Sequence, residues 1–205
     1  MWDKVKFNNP DLLRQAFTHR SYLNEHPEIA TGHNERLEFL GDAVLELIVT
    51  DYLFKKYPEQ NEGELTAYRA ALVNAETLAK VAEEAGMNDY LLLSRGEQKD
   101  TGRARSAILA NTFESVLGAI FLDQGYAVAQ QFVTDYLFPK TDEIVKNQLW
   151  QDAKSLFQEK SQSLANTTPN YEVLSETGPD HDKVFTVGLY LGEELISEGV
   201  GPSKQ

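Results

Sequence analysis

Between His33 and Lys56 the chain reads HNERLEFLGDAVLELIVTDYLFKK. Leu37, Leu40, Val44, Leu45, Ile48, Val49, Tyr52 and Leu53 recur there at helical spacing. The pattern predicts one long helix with Asn34 as its N-cap, Glu35 in its first turn and Pro58 just beyond its end. A second, more apolar helix is predicted over Ala107 to Leu122, AILANTFESVLGAIFL. Ile108, Leu109, Phe113, Val116, Leu117 and Ile120 pack in it, and Gly118 lets another helix approach closely. Shorter helices are predicted over residues 7–24, opened by Asn9 and Pro10, and over 65–73, 75–85, 126–137 and 142–150. Residues 25–32, the stretch PEQNEGE at 58–64 and the polar run 94–106 read as loops. After Trp150 the period changes. A short amphipathic helix over 152–163 precedes three alternating strands, Tyr171–Glu176, Lys183–Leu191 and Leu195–Val200. The expected architecture is an all-α unit at 1–148 followed by a small α+β unit at 151–205, of order α-β-β-β. One sheet face of that unit is left only partly covered, so a final helix is expected beyond the last residue.

The polar positions of the long helix need explaining. Glu35, Glu38 and Asp42, at i, i+3 and i+7, put three carboxylates on one face. Like charges so placed cost about 0.2–0.5 kcal/mol per pair in a helix. A solvated acidic face and a carboxylate site for Mg²⁺ are both compatible with the spacing. In the second helix Asn111 and Glu114, at i and i+3, interrupt an apolar surface. Polar groups there require partners and could face the acidic patch of the first helix.

Composition narrows the chemistry. The 205 residues contain no cysteine, which excludes disulfides and thiolate metal sites and fits a cytoplasmic protein, so a metal would sit on oxygen or imidazole ligands. No run of about 18 apolar residues and no signal-peptide pattern is apparent, so no membrane association is expected. The net charge is −13, from 32 acids and 19 bases. Taken alone, that opposes a nucleic-acid partner, which needs local lysine and arginine. A basic strip can still sit on an acidic body. The densest one is SRGEQKDTGRARS, carrying Arg95, Lys99, Arg103 and Arg105, for which solvation and phosphate contact are both open. His19 reads as a hydrogen-bonded structural residue.

HNERLEFLGDAVL, from His33 to Leu45, closely resembles the signature of bacterial ribonuclease III. FTHRSYLNE, GELTAYRAALVN and ILANTFESVLGAIFLDQGY follow the same family in order, and SLFQEKSQ, YEVLSETGPDHDK and EGVGPSK resemble its double-stranded RNA-binding domain. The resemblance implies a helical nuclease domain that forms a homodimer, followed by an α-β-β-β-α RNA-binding domain. It implies Mg²⁺-dependent hydrolysis of duplex RNA, with Mn²⁺ as a substitute, in RNA processing such as ribosomal RNA maturation. The implied products carry 5′-phosphate and 3′-hydroxyl ends with two-nucleotide 3′ overhangs. By position the metal ligands would be Glu38, Asp42, Asn111 and Glu114, with Glu35 beside them and Phe39 at the dimer contact. Gln158, Glu159, His181 and Lys183 would meet RNA. The chain departs from the family pattern at Asn111, where an aspartate is expected, and a structured-RNA-binding protein that cuts weakly or not at all stays open for that reason. By charge, residues 151–205 carry four lysines and no arginine against nine acids, which predicts weak phosphate binding by that segment alone.

Overall fold

A computed structural model describes residues 4–150, 153–179 and 183–203. The chain divides into two compact units, residues 1–150 and 151–205. The first is built from α1 (Pro10–Ala16), α2 (Arg20–Glu25), α3 (Glu35–Lys56), α4 (Glu62–Val73), α5 (Ala75–Glu84), α6 (Arg103–Gln124), α7 (Tyr126–Tyr136) and α8 (Thr141–Lys146). The second contains α9 (Ala153–Ala165), β1 (Pro169–Thr177), β2 (Val184–Leu191) and β3 (Glu194–Gly201). The all-α unit followed by a small α+β unit is the fold class expected from the sequence.

Helices α3 and α6, each 22 residues long, form the centre of the first unit. All six apolar residues expected to pack in α6 are buried. In α3, Leu37, Val44, Leu45, Ile48, Val49 and Leu53 are buried, while Leu40 and Tyr52 sit half-buried at the stripe's edge. Helix α6 is long and apolar enough to cross a membrane by length and composition, contrary to the expectation that no segment is. Here it forms the core of a helical unit, and its buried hydroxyls, Thr112 and Ser115, are hydrogen-bonded. Thr112 Oγ1 donates to Ile108 O at 2.7 Å, and Ser115 Oγ donates to Ala16 O at 2.8 Å, which ties α6 to α1.

Three expectations needed correction. The polar run 94–106, read as a loop, ends at Gly102: helix α6 begins at Arg103, so Arg103 and Arg105 stand in its first turn. The predicted helix over residues 7–24 is two helices, because the main chain between them pairs elsewhere. Thr18 forms a parallel bridge with Leu92; Leu92 N donates to Phe17 O and His19 N donates to Leu92 O. His19 then caps α2, its Nδ1 accepting from Ser21 N at 3.3 Å, which is the structural role read for it. Helix α4 begins at Glu62, inside the stretch read as a turn. Asn61 and Glu64 form a reciprocal capping box there, which satisfies two free N–H groups. Asn34 sits at the N-cap of α3 but makes no side-chain cap bond; its own N–H donates to Thr18 O at 2.9 Å.

In the second unit β1–β2–β3 form an antiparallel sheet in sequence order. Register shifts between Val173 and Ser175 and between Leu189 and Tyr190 add local twist. Lys154 Nζ of α9 lies 5.0 Å from the centre of the Tyr171 ring, a cation–π contact between helix and sheet. An open trough of about 450 Å³ runs over the face carrying Phe185, Val187 and Leu189.

Candidate active site

The site is set by two glycines. A Cβ built on Gly41 of α3 would overlap the Glu114 carbonyl of α6, and one on Gly118 would overlap the Leu37 carbonyl. The helices therefore cross backbone against backbone, with 37 opposite 118 and 41 opposite 114. That crossing brings Glu38 and Asp42, which flank Gly41 on α3, toward Glu114 on α6. Glu38 and Glu114 are half-buried, whereas Asp42, Asn111 and Glu35 are exposed.

The carboxylates respond to one another. Burial pushes the Glu114 carboxyl up to about 7, and the charges of Asp42, Glu38 and Glu46 push it in the same direction. Burial also raises Glu38, reinforced by Glu35 and Asp42. The flanking acids have cations of their own. Glu35 pairs with Arg20 at 3.4 Å, and Glu46 pairs with Arg69 at 2.9 Å. Among the described residues, Glu38, Asp42 and Glu114 have no such partner. Unpaired carboxylates held near each other in partial burial are costly, and a bound cation relieves that cost. Also among the described residues, no three His, Asp or Glu side chains stand together in a ready-made metal cage. The three carboxylates offer oxygen donors alone, which suit a hard cation.

The basic loop divides into two kinds of residue. Arg95, Lys99 and Arg103 are exposed, and among the described residues their side chains make no ion pair or hydrogen bond. Arg105, in the first turn of α6, is half-buried and turned back onto the preceding loop, where it bonds the carbonyls of Glu97, Gln98 and Asp100. That role differs from the RNA contact expected of it. On α3, Phe39 is 82% exposed, with Leu47 at 59% and Phe54 at 70% along the same face, so an apolar stripe lies open to solvent. In the second unit, Gln158 is exposed on α9, and Lys183, half-buried ahead of β2, is engaged with a neighbour. His181 and the Glu159 side chain lie outside the described residues. The sequence reading missed Gly41. The signal was available, a glycine one residue from Asp42 in an otherwise apolar helix, but its meaning depended on what stood opposite.

A helical unit with carboxylates at the crossing of its central helices, followed by a helix and a three-stranded sheet, is the arrangement of a nuclease joined to an RNA-binding module. A family model described as ribonuclease-III-like matches residues 9–141, and one for the double-stranded RNA binding motif matches 153–205. The chain belongs to the ribonuclease III family. Ribonuclease 3 of Borreliella afzelii is 46% identical over 202 residues, covering 98% of this chain and 82% of that protein. Ribonuclease 3 of Enterococcus faecalis is 45% identical over 201 residues, covering 98% and 87%. Among solved structures, the nuclease domain of ribonuclease III from Campylobacter jejuni, described for flexibility in a region involved in dimer formation, matches at TM-score 0.59 and 38% identity, over 66% of this chain and 92% of that one. Dicer from Pichia stipitis matches at TM-score 0.51 and 26% identity, over 98% and 89%.

Proposed function

We propose that this enzyme, a double-stranded-RNA endoribonuclease by family, hydrolyses phosphodiester bonds at the α3–α6 crossing with Mg²⁺, for which Mn²⁺ substitutes. One observation carries the reading: Glu38, Asp42 and Glu114 are gathered there without cationic partners among the described residues, while the acids on either side have arginines. Glu38, Asp42, Glu114 and Asn111 would hold the metal. When bound, it supplies an activated water and charge relief on the leaving oxygen. Glu35, paired with Arg20, stays beside the site. Arg95, Lys99 and Arg103 offer exposed positive charge to a phosphate backbone, which answers the objection raised by the net charge of −13. The second unit would read the shape and 2′-hydroxyls of the duplex through Gln158, Glu159, His181 and Lys183.

The proposed working form is a two-fold homodimer seated on the stripe of Phe39, Leu47 and Phe54. Paired sites cutting opposite strands would leave 5′-phosphate and 3′-hydroxyl ends with two-nucleotide 3′ overhangs. Cytoplasmic RNA processing, including maturation of ribosomal RNA precursors, is the proposed setting. Phe39→Asp should shift the sedimentation profile at micromolar concentration from dimer to monomer and abolish paired cuts. A dimer that survives this change would place the interface elsewhere.

The test of the reaction is cleavage of a long RNA duplex by the purified chain with and without Mg²⁺, with the product ends sequenced. A second reading, binding of structured RNA with little cleavage, is favoured by one residue. Asn111 offers a neutral amide oxygen where the family pattern resembled above has a carboxylate. Asn111→Asp should lower the Mg²⁺ concentration needed for half-maximal cleavage about tenfold, because it adds one charge to the ligand set. If the parent chain binds duplex without cutting at any Mg²⁺ concentration and Asn111→Asp cuts, the binding reading holds instead.

A further inference from the structure

We propose that Arg105 is a positioning residue that preorganises the basic loop for a duplex-RNA backbone; this rests on the reading that the loop meets phosphates. Between Leu93 and Arg103, where α6 begins, the chain has no apolar side chain, so no hydrophobic anchor shapes the loop. Polar tethers shape it instead. Ser94 N donates to Ser21 Oγ at 3.1 Å, and Arg95 N donates to the Glu25 carboxylate at 3.3 Å. The largest tether is Arg105. Its Nε donates to Asp100 O at 3.1 Å, its Nη2 to Glu97 O and Gln98 O at 3.1 Å each, and its Nη1 to Asn88 Oδ1 at 3.2 Å. Three of the four acceptors are main-chain carbonyls of the 3₁₀ turn Glu97–Lys99 and the residue after it.

One guanidinium thus gathers the carbonyls of residues 97, 98 and 100 on the inner side of the loop. Arg95, Lys99 and Arg103 remain exposed, with side chains uncommitted among the described residues. The division follows from the group's shape. A planar fork of five N–H donors can reach four diverging oxygens, whereas the three donors of a lysine ammonium, on one nitrogen, cannot. A loop already held in its binding shape loses less conformational entropy on meeting a rigid backbone. Arg105 would then raise affinity without touching RNA, and its positive charge, spent on carbonyls, would release no counterion.

These roles are separable in the full chain. Arg105→Lys and Arg105→Ala should each raise KM for duplex RNA about tenfold, with kcat moving far less. The slope of log affinity against log salt should stay unchanged. Lys99→Ala and Arg103→Ala should each lower that slope by about one. Hydrogen exchange should show faster exchange of the Gln98, Lys99 and Asp100 amides in both Arg105 variants, with α6 beyond its first turn unaffected. Rescue by lysine, or a slope lowered by one in Arg105→Ala, would make Arg105 a phosphate contact and overturn the proposal. A general loss of melting temperature and α6 protection without a selective loop effect would also overturn it, by making Arg105 a stability residue. If the Lys99 and Arg103 variants leave affinity and slope unchanged, the phosphate reading of the loop fails with it. If they act as expected and the Arg105 variants do not, the positioning role alone fails.

Discussion

Gly118→Ala is expected to cost about 3 kcal/mol, the upper end of the usual range for overpacking, because the added methyl meets a backbone carbonyl rather than a movable side chain. For a chain of this size that lowers the melting temperature by about 6–12 °C. The effect on cleavage should be larger still. Forcing α3 and α6 apart moves Glu114 away from Glu38 and Asp42, and displacements of about 1 Å at a reacting centre cost about 100-fold in rate. Gly41→Ala should behave alike, since its Cβ would strike the carbonyl of Glu114 itself. A control at Gly86, where an added Cβ meets nothing within 4 Å, carries only the strain of its positive φ of 73° and should leave kcat nearly unchanged. Equal rate losses in the Gly86 and Gly118 variants would show that the crossing does not set the site.

Glu114→Gln is expected to separate stability from catalysis. The carboxyl is pushed up to about 7 from an ordinary value of 4.5, by burial first and then by neighbouring acids. A carboxyl raised in this way holds its proton more tightly in the folded state. It therefore favours folding fully below about 4.5, and that contribution is lost as pH rises through about 7. At pH 8 in EDTA the ionised group burdens the fold by on the order of 1–2 kcal/mol, allowing for partial solvent screening. Glutamine keeps the shape and removes the charge. Its melting temperature at pH 8 without metal should exceed the parent's by about 2–8 °C, and the gain should vanish near pH 4.5. Turnover should fall at least 100-fold while duplex binding persists, since the group acts on developing charge and not on a phosphate. A lower melting temperature at pH 8 would mean that Glu114 is held by its packing and that its charge is of little account.

The sequence showed helix identity well where burial is one-sided. The stripe in α3 and the apolar run in α6 follow directly from side-chain spacing, and Gly118 stood out as a small residue in a large-residue helix. The break at Thr18 did not, because the amphipathic spacing of residues 7–24 continues through it. What ends α1 is a backbone pairing with Leu92, more than 70 positions away. Asn61 and Glu64 were visible but lay in a stretch rich in turn residues, and a capping box is easily taken for a turn. Arg105 could not be told from Arg103 by type or by neighbours; only the folded carbonyls of residues 97, 98 and 100 distinguish them. The site residues were legible as types at spacings. Their want of cationic partners depends on where Arg20 and Arg69 reach, and that no linear pattern shows.

The small main-chain bridge in this helical unit has a consequence for how it opens. Leu92 N donates to Phe17 O, His19 N donates to Leu92 O and Asn34 N donates to Thr18 O, at 2.9, 3.1 and 2.9 Å. Three segments distant in sequence thus share one hydrogen-bonded patch, lying just before α2, the basic loop and α3. Such a patch opens as a unit, so these three amides should exchange at one common rate, slower than the isolated loop bonds around them. A fluctuation that frees the loop would free the first turn of α3 at the same moment. The mobility of the RNA-facing loop and that of the acid-bearing helix's start would then be a single event, with one free energy.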